Sequence, residues 1–307
     1  MVKRIVGLIF IVCIAGGLYF AWVTHPTRQT TIRSLAVIGN ATVVVRWDVS
    51  RGKSLLLVLP QDFEIEAVHG YGQYRLDALW NLDQMDHRKG DLFLTSLSDA
   101  TAIPVGWYME RSGPVGAAKE DIVHFVSSVL SLRVLVGSVF SGKTSMSLLD
   151  AVRVWRLVRN VQSKPVDVFD FRNVAVSIRE DKPDGSTGIL FDKNAYDAVV
   201  ADSLEDVLVR QERLRIAVYN TTPTVGIGQK AARMLETMGG FIIFVGNDDS
   251  LYRGMCELAG SQVHLDSATA EFIRTVYACV NRVSTEDQRG DLVVRLGTGL
   301  EKRYQPY

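Results

Sequence analysis

Residues 5 to 23 form an uninterrupted apolar run without a charge, preceded by Lys3 and Arg4. A helix rising about 1.5 Å per residue makes such a run long enough for the roughly 30 Å hydrocarbon core of a bilayer. The exit at Tyr19, Phe20 and Trp22 is bulky, unlike the small residues of a signal-peptidase site, and Tyr19 and Trp22 suit an interfacial belt. The run therefore reads as an uncleaved anchor over 1–24, with residues 25–34 a polar linker. Lys3 and Arg4 favour a cytoplasmic N-terminus and put the rest of the chain outside the cytoplasm.

Beyond the linker the apolar period alternates between strand and helix. Leu35–Val37, Thr42–Trp47 and Leu55–Leu59 are short apolar, largely β-branched runs; the last two flank a polar break at Ser50-Arg51-Gly52-Lys53. The pattern predicts a hairpin, and continuous apolarity predicts strands buried on both faces. Asp91–Ala100 reads as a short helix, Ile103–Met109 as extended chain, and Asp121–Leu130 as a helix through Ile122, Phe125, Val126 and Val129. Ser147 followed three residues later by Asp150 predicts a capping-box start for a helix reaching about Val161, and Lys182-Pro183-Asp184-Gly185 predicts a turn.

The last hundred residues have their own rhythm. Arg215–Tyr219 and Phe241–Val245 read as strands around a helix with Ile227, Ala231, Met234, Leu235 and Met238 on one face, stopped by Gly239-Gly240. Ala268, Phe272, Val276 and Cys279 mark another helix face, and Leu292–Leu296 a closing strand. The fold class is thus α/β: an N-terminal transmembrane helix, an α/β domain with a central sheet over 35–210, and a small C-terminal α/β sandwich over 211–307.

Composition narrows the functional classes. The 34 basic and 34 acidic residues balance, and the basic ones do not cluster, so nucleic acid is not an expected partner. A mean hydropathy of +0.11 with 22% charged residues excludes a largely disordered chain. Histidines 25, 69, 87, 124 and 264 show no metal-ligand spacing. Asp83, Asp86 and Asp91 fall in what reads as a polar loop, and Arg153, Arg156 and Arg159 read as a solvated helix side. No metal is expected. Cys13 lies in the apolar run, which leaves Cys256 and Cys279 as the soluble thiols. In an oxidising setting these two can form a bridge; two buried small hydrophobes is the equal alternative.

Gly137-Ser138-Val139-Phe140-Ser141-Gly142-Lys143-Thr144 matches the phosphate-binding P-loop pattern in full, after an apolar run at Val134–Val136 that reads as its strand. In that reading Gly137 and Gly142 free the backbone, Lys143 reaches phosphates and Thr144 holds magnesium. Against it, the helix cap signal falls only at Ser147, and Phe241–Val245 meets Gly246-Asn247 before any Asp. An extracytoplasmic loop would also find little ATP. The match reads as a decoy, and a P-loop NTPase is the third-ranked function.

From Arg215-Ile216-Ala217-Val218-Tyr219-Asn220 through Thr221-Thr222-Pro223-Thr224-Val225-Gly226-Ile227-Gly228 and on to Phe241–Asn247, the chain resembles the C-terminal domain of LytR-type cell-envelope proteins. More faintly, Asn40–Asp48, Leu57-Val58-Leu59-Pro60-Gln61-Asp62 and Tyr71-Gly72-Gln73-Tyr74-Arg75-Leu76-Asp77-Ala78-Leu79 resemble the early motifs of the LytR–CpsA–Psr domain. The resemblance implies a pyrophosphate grip, with magnesium, on a polyprenyl-linked glycopolymer being moved to peptidoglycan. Here the first motif reads Ile38-Gly39-Asn40 in place of Arg-Ser-Asp, and Gln61 replaces the Arg before Asp62. Only Asp62 and Arg75 keep suitable chemistry, and transfer of a diphosphate needs several cations and a metal acting together. The expectation is a single-pass protein of the cytoplasmic membrane and cell envelope, a non-catalytic binding or structural relative without a cofactor, with cell-wall or lipid-linked glycopolymer as partner. An active glycopolymer phosphotransferase using magnesium is the alternative.

Overall fold

The computed structural model describes residues 16–17, 32–48, 52–158, 165–172, 176–181, 185, 187–284 and 289–305. The expected anchor, most of the linker, His25, Arg159 and the turn at residues 182–184 lie outside the described residues. Among the described residues no single helix is long and apolar enough to cross a membrane. Residues 32–307 form one compact unit.

The chain enters through β1 (Ile32–Ile38), which takes up the end of the expected linker, then β2 (Ala41–Asp48) and β3 (Lys53–Pro60). β4 (Phe63–Ala67) and β5 (Gly72–Arg75) lead into α1 (Leu76–Met85) and α2 (Asp91–Thr101). A short β6 (Trp107–Glu110) precedes three helices, α3 (Lys119–Val129), α4 (Leu132–Phe140) and α5 (Leu148–Val158). Next come β7 (Val166–Asp170), β8 (Ser177–Asp181), β9 (Thr187–Phe191), α6 (Lys193–Leu204) and α7 (Val207–Glu212). The C-terminal part runs β10 (Arg215–Asn220), α8 (Ile227–Thr237), β11 (Phe241–Asn247), β12 (Cys256–Gly260), α9 (Gln262–Leu265) and α10 (Ala268–Tyr277). It closes with β13 (Cys279–Val283), β14 (Leu292–Leu296) and α11 (Thr298–Glu301).

The central sheet has the order β6-β1-β2-β3-β7. β2 is antiparallel to both neighbours, with Ile38 opposite Thr42 and Val44 opposite Leu57, while β6 runs parallel to β1 and β7 parallel to β3. The expected hairpin is therefore the centre of the sheet, and its strands are buried on both faces. Val44, Leu55, Leu57 and Leu59 enter one core with Phe93 and Tyr196; Val43, Val45, Leu56 and Val58 enter another with Ile122, Val126 and Val154. The first core is closed by α1, α2, α6 and a second sheet of order β5-β4-β9-β8, the other by α3, α4 and α5. Arg46, the charged residue in the buried stretch of β2, donates from Nη1 to the Leu204 carbonyl at 2.6 Å, placing a cation at the C-terminus of α6.

The third sheet, β11-β10-β14-β12-β13, is built from residues 215 to 296. Its core is Ile216, Val218, Ala231, Leu235, Leu258, Phe272 and Val294. Arg233 on α8 fastens this part to the rest. Its guanidinium donates to both Asp197 carboxylate oxygens at 2.7 Å and to the Asp99 and Ala100 carbonyls at the end of α2. Lys230 reaches the buried Asp99 at 2.9 Å.

Three expectations are corrected. Val134–Val136 is helix rather than strand: Leu132, Leu135, Val136 and Val139 recur at helical spacing, and Leu135 packs inward. Cys279 does not end a helix; α10 stops at Tyr277, Ala278 turns left-handed at φ 52°, and Cys279 opens β13. Asp83 belongs to α1 rather than a loop and is fully buried, its carboxylate accepting from the Gly90 and Phe93 backbone N–H groups at 2.6 and 3.0 Å. Within the stretch read as extended chain, Trp107–Glu110 pairs as strand.

Cys256 and Cys279 face each other on neighbouring parallel strands and are disulfide-bonded across a separation of 23 residues. Reducing this bridge, or the Cys256→Ala/Cys279→Ala variant, is expected to cost about 3 kcal/mol, the loop-closure value for such a separation; urea melts with and without reductant measure it. Burial pushes the Asp83 carboxyl up, with the Phe93 and Gly90 N–H groups pulling the other way. A raised folded value means the folded state holds the proton more tightly, so this group by itself favours folding as pH falls. Asp83→Ala strands two N–H groups and is expected to cost roughly 1–3 kcal/mol at pH 7. Asp83→Asn, which keeps an acceptor, should be milder in the same urea melts.

Candidate functional site

Because β1, β3, β6 and β7 all point the same way, their carboxyl ends share one edge of the central sheet. Crevices at such edges are where open α/β sheets bind ligands. The edge gathers Gly39, Gln61, Asp62, Arg111 and Arg172. Gly39 is required: a Cβ there would collide with the Arg111 carbonyl, and the Arg111 N–H donates to the Ile38 carbonyl at 2.8 Å.

The side-chain amide of Gln61 is occupied. Its Nε2 donates to the Gly39 carbonyl at 2.7 Å and to Thr42 Oγ1 at 3.3 Å, tying the β1–β2 turn to the β3–β4 turn. The Gln61 carbonyl in turn accepts from the Asp77 N–H at 3.2 Å, which seats the start of α1 on the same turn. Arg75, opposite Glu64 on β5, therefore shares a corner with Asp62. Arg75 Nη2 is paired with Asp77 at 2.7 Å on an exposed surface, and among the described residues no hydrogen bond joins it to the exposed Asp62.

Arg172 is a cation at this edge that the sequence pattern does not single out. Its Nε and Nη2 donate to Asp170 at 2.8 and 2.6 Å, and Nη1 and Nη2 to the Val115 and Gly116 carbonyls at 2.7 and 2.6 Å. The hydrogen bonds it donates to Asp170 raise its already high pKa further. The available signal was Asp170-Phe171-Arg172 at the end of an apolar strand, since residues two apart share a side. Its guanidinium holds a loop against the sheet. Charge at this corner is thus largely neutralised within the protein.

The P-loop-like segment does not form a phosphate cradle. Its Gly137 lies inside α4, so a helix ends where one should begin. Gly142, at φ 69°, is the left-handed residue that closes α4: its N–H donates to the Val139 carbonyl, and the Lys143 N–H to the Ser138 carbonyl at 3.0 Å. These are the paired bonds of a Schellman cap, and they consume the donors a phosphate would need. Thr144 Oγ1 donates to the Tyr108 carbonyl. The next helix starts at Ser147, whose side chain accepts from the Asp150 N–H while donating to the Asp150 carboxylate, the expected capping box with Asp in the role of Glu.

The remaining candidates are dispersed. Among the described residues no group of three or more His, Cys, Asp or Glu side chains could hold a metal ion. Asp62 stands at an exposed turn. Arg153 is paired with Asp150, and the disulfide lies in the C-terminal sheet, away from the carboxyl edge in sequence and topology. A cavity of about 270 Å3, for which the sequence carries no signal, opens between the β4–β5 turn and the start of α8, lined by Glu66, His69, Thr224, Val225, Lys230 and Tyr304 among others. His69 there adopts a left-handed φ of 63° and its ring nitrogen bonds the Gln305 carbonyl oxygen.

No family model matches the chain, and no curated protein matches it. Among solved structures, the LytR-CPS2A-psr family protein YwtF (TagT) with bound octaprenyl pyrophosphate lipid is 14% identical, with 55% of this chain and 87% of that chain covered and a TM-score of 0.40. Bacillus subtilis TagT is 13% identical over 57% of this chain and 89% of its own, with a TM-score of 0.37. An Enterococcus faecalis protein described as a transcriptional regulator is 12% identical over 59% and 87%, with a TM-score of 0.42.

Proposed function

We propose that this protein is a cell-envelope protein that binds a lipid-linked or wall glycopolymer through the carboxyl edge of its central sheet without transferring it. The motif order from Asn40 to Leu79 is one support, and the other is that the Gln61 carbonyl, beside Asp62, accepts from the Asp77 N–H just past the end of the strand that carries Arg75. In this reading residues 5–23 anchor the chain and the folded unit lies outside the cytoplasm, where a Cys256–Cys279 bridge is chemically at home.

The observation that carries the non-catalytic half of the proposal is the Gln61 amide bound to the Gly39 carbonyl. Moving a diphosphate-linked polymer develops charge on several oxygens at once, and fixed cations must already stand there. At this corner the cation before Asp62 is replaced by a neutral group, Arg75 is shared with Asp77, and Arg172 is held by Asp170 and two carbonyls. A residual corner of this kind can still hold an anionic ligand weakly, with Arg75 turning from Asp77 to a phosphate oxygen.

The test is equilibrium binding of a polyprenyl-pyrophosphate-linked saccharide to the full chain, together with a search for released polyprenyl phosphate when peptidoglycan is supplied as acceptor along with magnesium. The expected result is saturable binding and no release. Arg75→Ala should weaken binding about tenfold, the loss of roughly one charge-assisted hydrogen bond. Release that Asp62→Asn and Arg75→Ala both abolish would establish a transferase instead, and absence of binding by the unmutated chain would remove both readings.

A further inference from the structure

The turn between α4 and α5 is where the P-loop-like residues sit, and its surface is unusual for a soluble protein. Phe140, at the end of α4, is 79% exposed; Leu148 and Leu149, which open α5, are 45% and 41% exposed. Single exposed apolar residues are ordinary, but three large ones at the two ends of one turn make a patch. Between Leu130 and Leu149 the chain has no acidic residue, while Lys143 sits exposed at the apex and Arg133 is exposed on α4. On α5, Arg156 lies seven residues beyond Leu149, on the same stripe, and is also exposed. Asp150, next along the chain, is taken up by Ser147 and Arg153.

The patch is held rigidly. Gly142 closes α4 through its left-handed φ, Thr144 pairs with Met109 at the edge of the central sheet, and the Ser147–Asp150 box starts α5. Neither Gly137 nor Gly142 has another atom near the place a Cβ would occupy, so this side of the turn is open. Bulky apolar side chains on a fixed protrusion, flanked by basic residues, match the boundary of an anionic bilayer. The rings and branched chains enter the acyl boundary while ammonium and guanidinium groups stay with the headgroups.

We propose that the α4–α5 turn, through Phe140, Leu148 and Leu149 with Lys143 and Arg156, docks the folded unit on an anionic phospholipid bilayer. The match of basic flanks to anionic headgroups selects the bilayer over a second copy of this chain, whose patch would carry the same positive charges. The proposal does not depend on glycopolymer binding, which uses Asp62 and Arg75, so either can fail alone.

The test uses the full chain in a Cys13→Ser background, reconstituted in vesicles of phosphatidylcholine with or without phosphatidylglycerol. An environment-sensitive dye is attached at Phe140→Cys or, for comparison, at Val225→Cys, whose parent side chain is 94% exposed on the loop before α8. Lipids brominated on their acyl chains should quench the dye at position 140 and not at 225, only in vesicles containing phosphatidylglycerol. That quenching should be lost in Lys143→Glu/Arg156→Glu, whose melting transition controls for folding. Equal quenching at the two positions, whether high or low, overturns the proposal. So does dye burial at position 140 that appears in detergent and falls on dilution, which would assign the patch to a second copy.

Discussion

Everything in the larger part of this molecule follows from the burial of β2 and β3 on both faces. A strand exposes successive side chains on opposite sides, so Val43-Val44-Val45 and Leu55-Leu56-Leu57-Val58-Leu59 would present apolar surface in two directions at once. Neither face can be left to water. Three helices must cover one side, and three helices with a second sheet the other. The parallel flanking strands are a consequence, because β4, β5, α1 and α2 intervene between β3 and β6, and α3 to α5 between β6 and β7.

Two arginines within this frame sit where helices end. Arg46 meets the last carbonyl of α6, and Arg233 meets the last carbonyls of α2 as well as Asp197. Both exploit carbonyl groups that a helix leaves unpaired, where a guanidinium gains hydrogen bonds and a favourable dipole together. Arg233 thereby joins the C-terminal sheet's first helix to two helices of the larger part. A lysine in its place would keep the charge and lose the fork.

The carboxyl edge shows how turns can meet without leaving free charge. The turns at Gly39 and Gln61, the start of α1 and the end of β7 meet there. Their polar side chains satisfy one another: amide to carbonyl, guanidinium to carboxylate, guanidinium to two loop carbonyls. Gly137 to Thr144 is a second case, a phosphate-binding string whose donors are spent on closing a helix. The same glycine freedom that lets a loop wrap a phosphate lets Gly142 take the C-cap.

Much of the fold is legible in local pattern. Two-faced apolar strands, the helix through Ile122, Val126 and Val129, the Ser147 capping box and the strand–helix–strand run from Arg215 to Asn247 all rest on periodicity and capping, which act within a few residues. The helix at Leu132–Phe140 does have helical spacing at Leu132, Leu135, Val136 and Val139, but the phosphate-binding motif beside it calls for a strand there and hides that spacing. The roles of Asp83 and Arg172 escape it because their partners, Gly90, Phe93, Val115 and Gly116, are brought to them only by packing. The sequence by itself determined the alternation of elements and the need for a doubly covered sheet, since those follow from where apolar atoms recur. The tertiary structure alone decided which cations at the carboxyl edge are neutralised and whether Gly142 cradles or caps, since a polar group's role depends on the partner that folding places within hydrogen-bond reach.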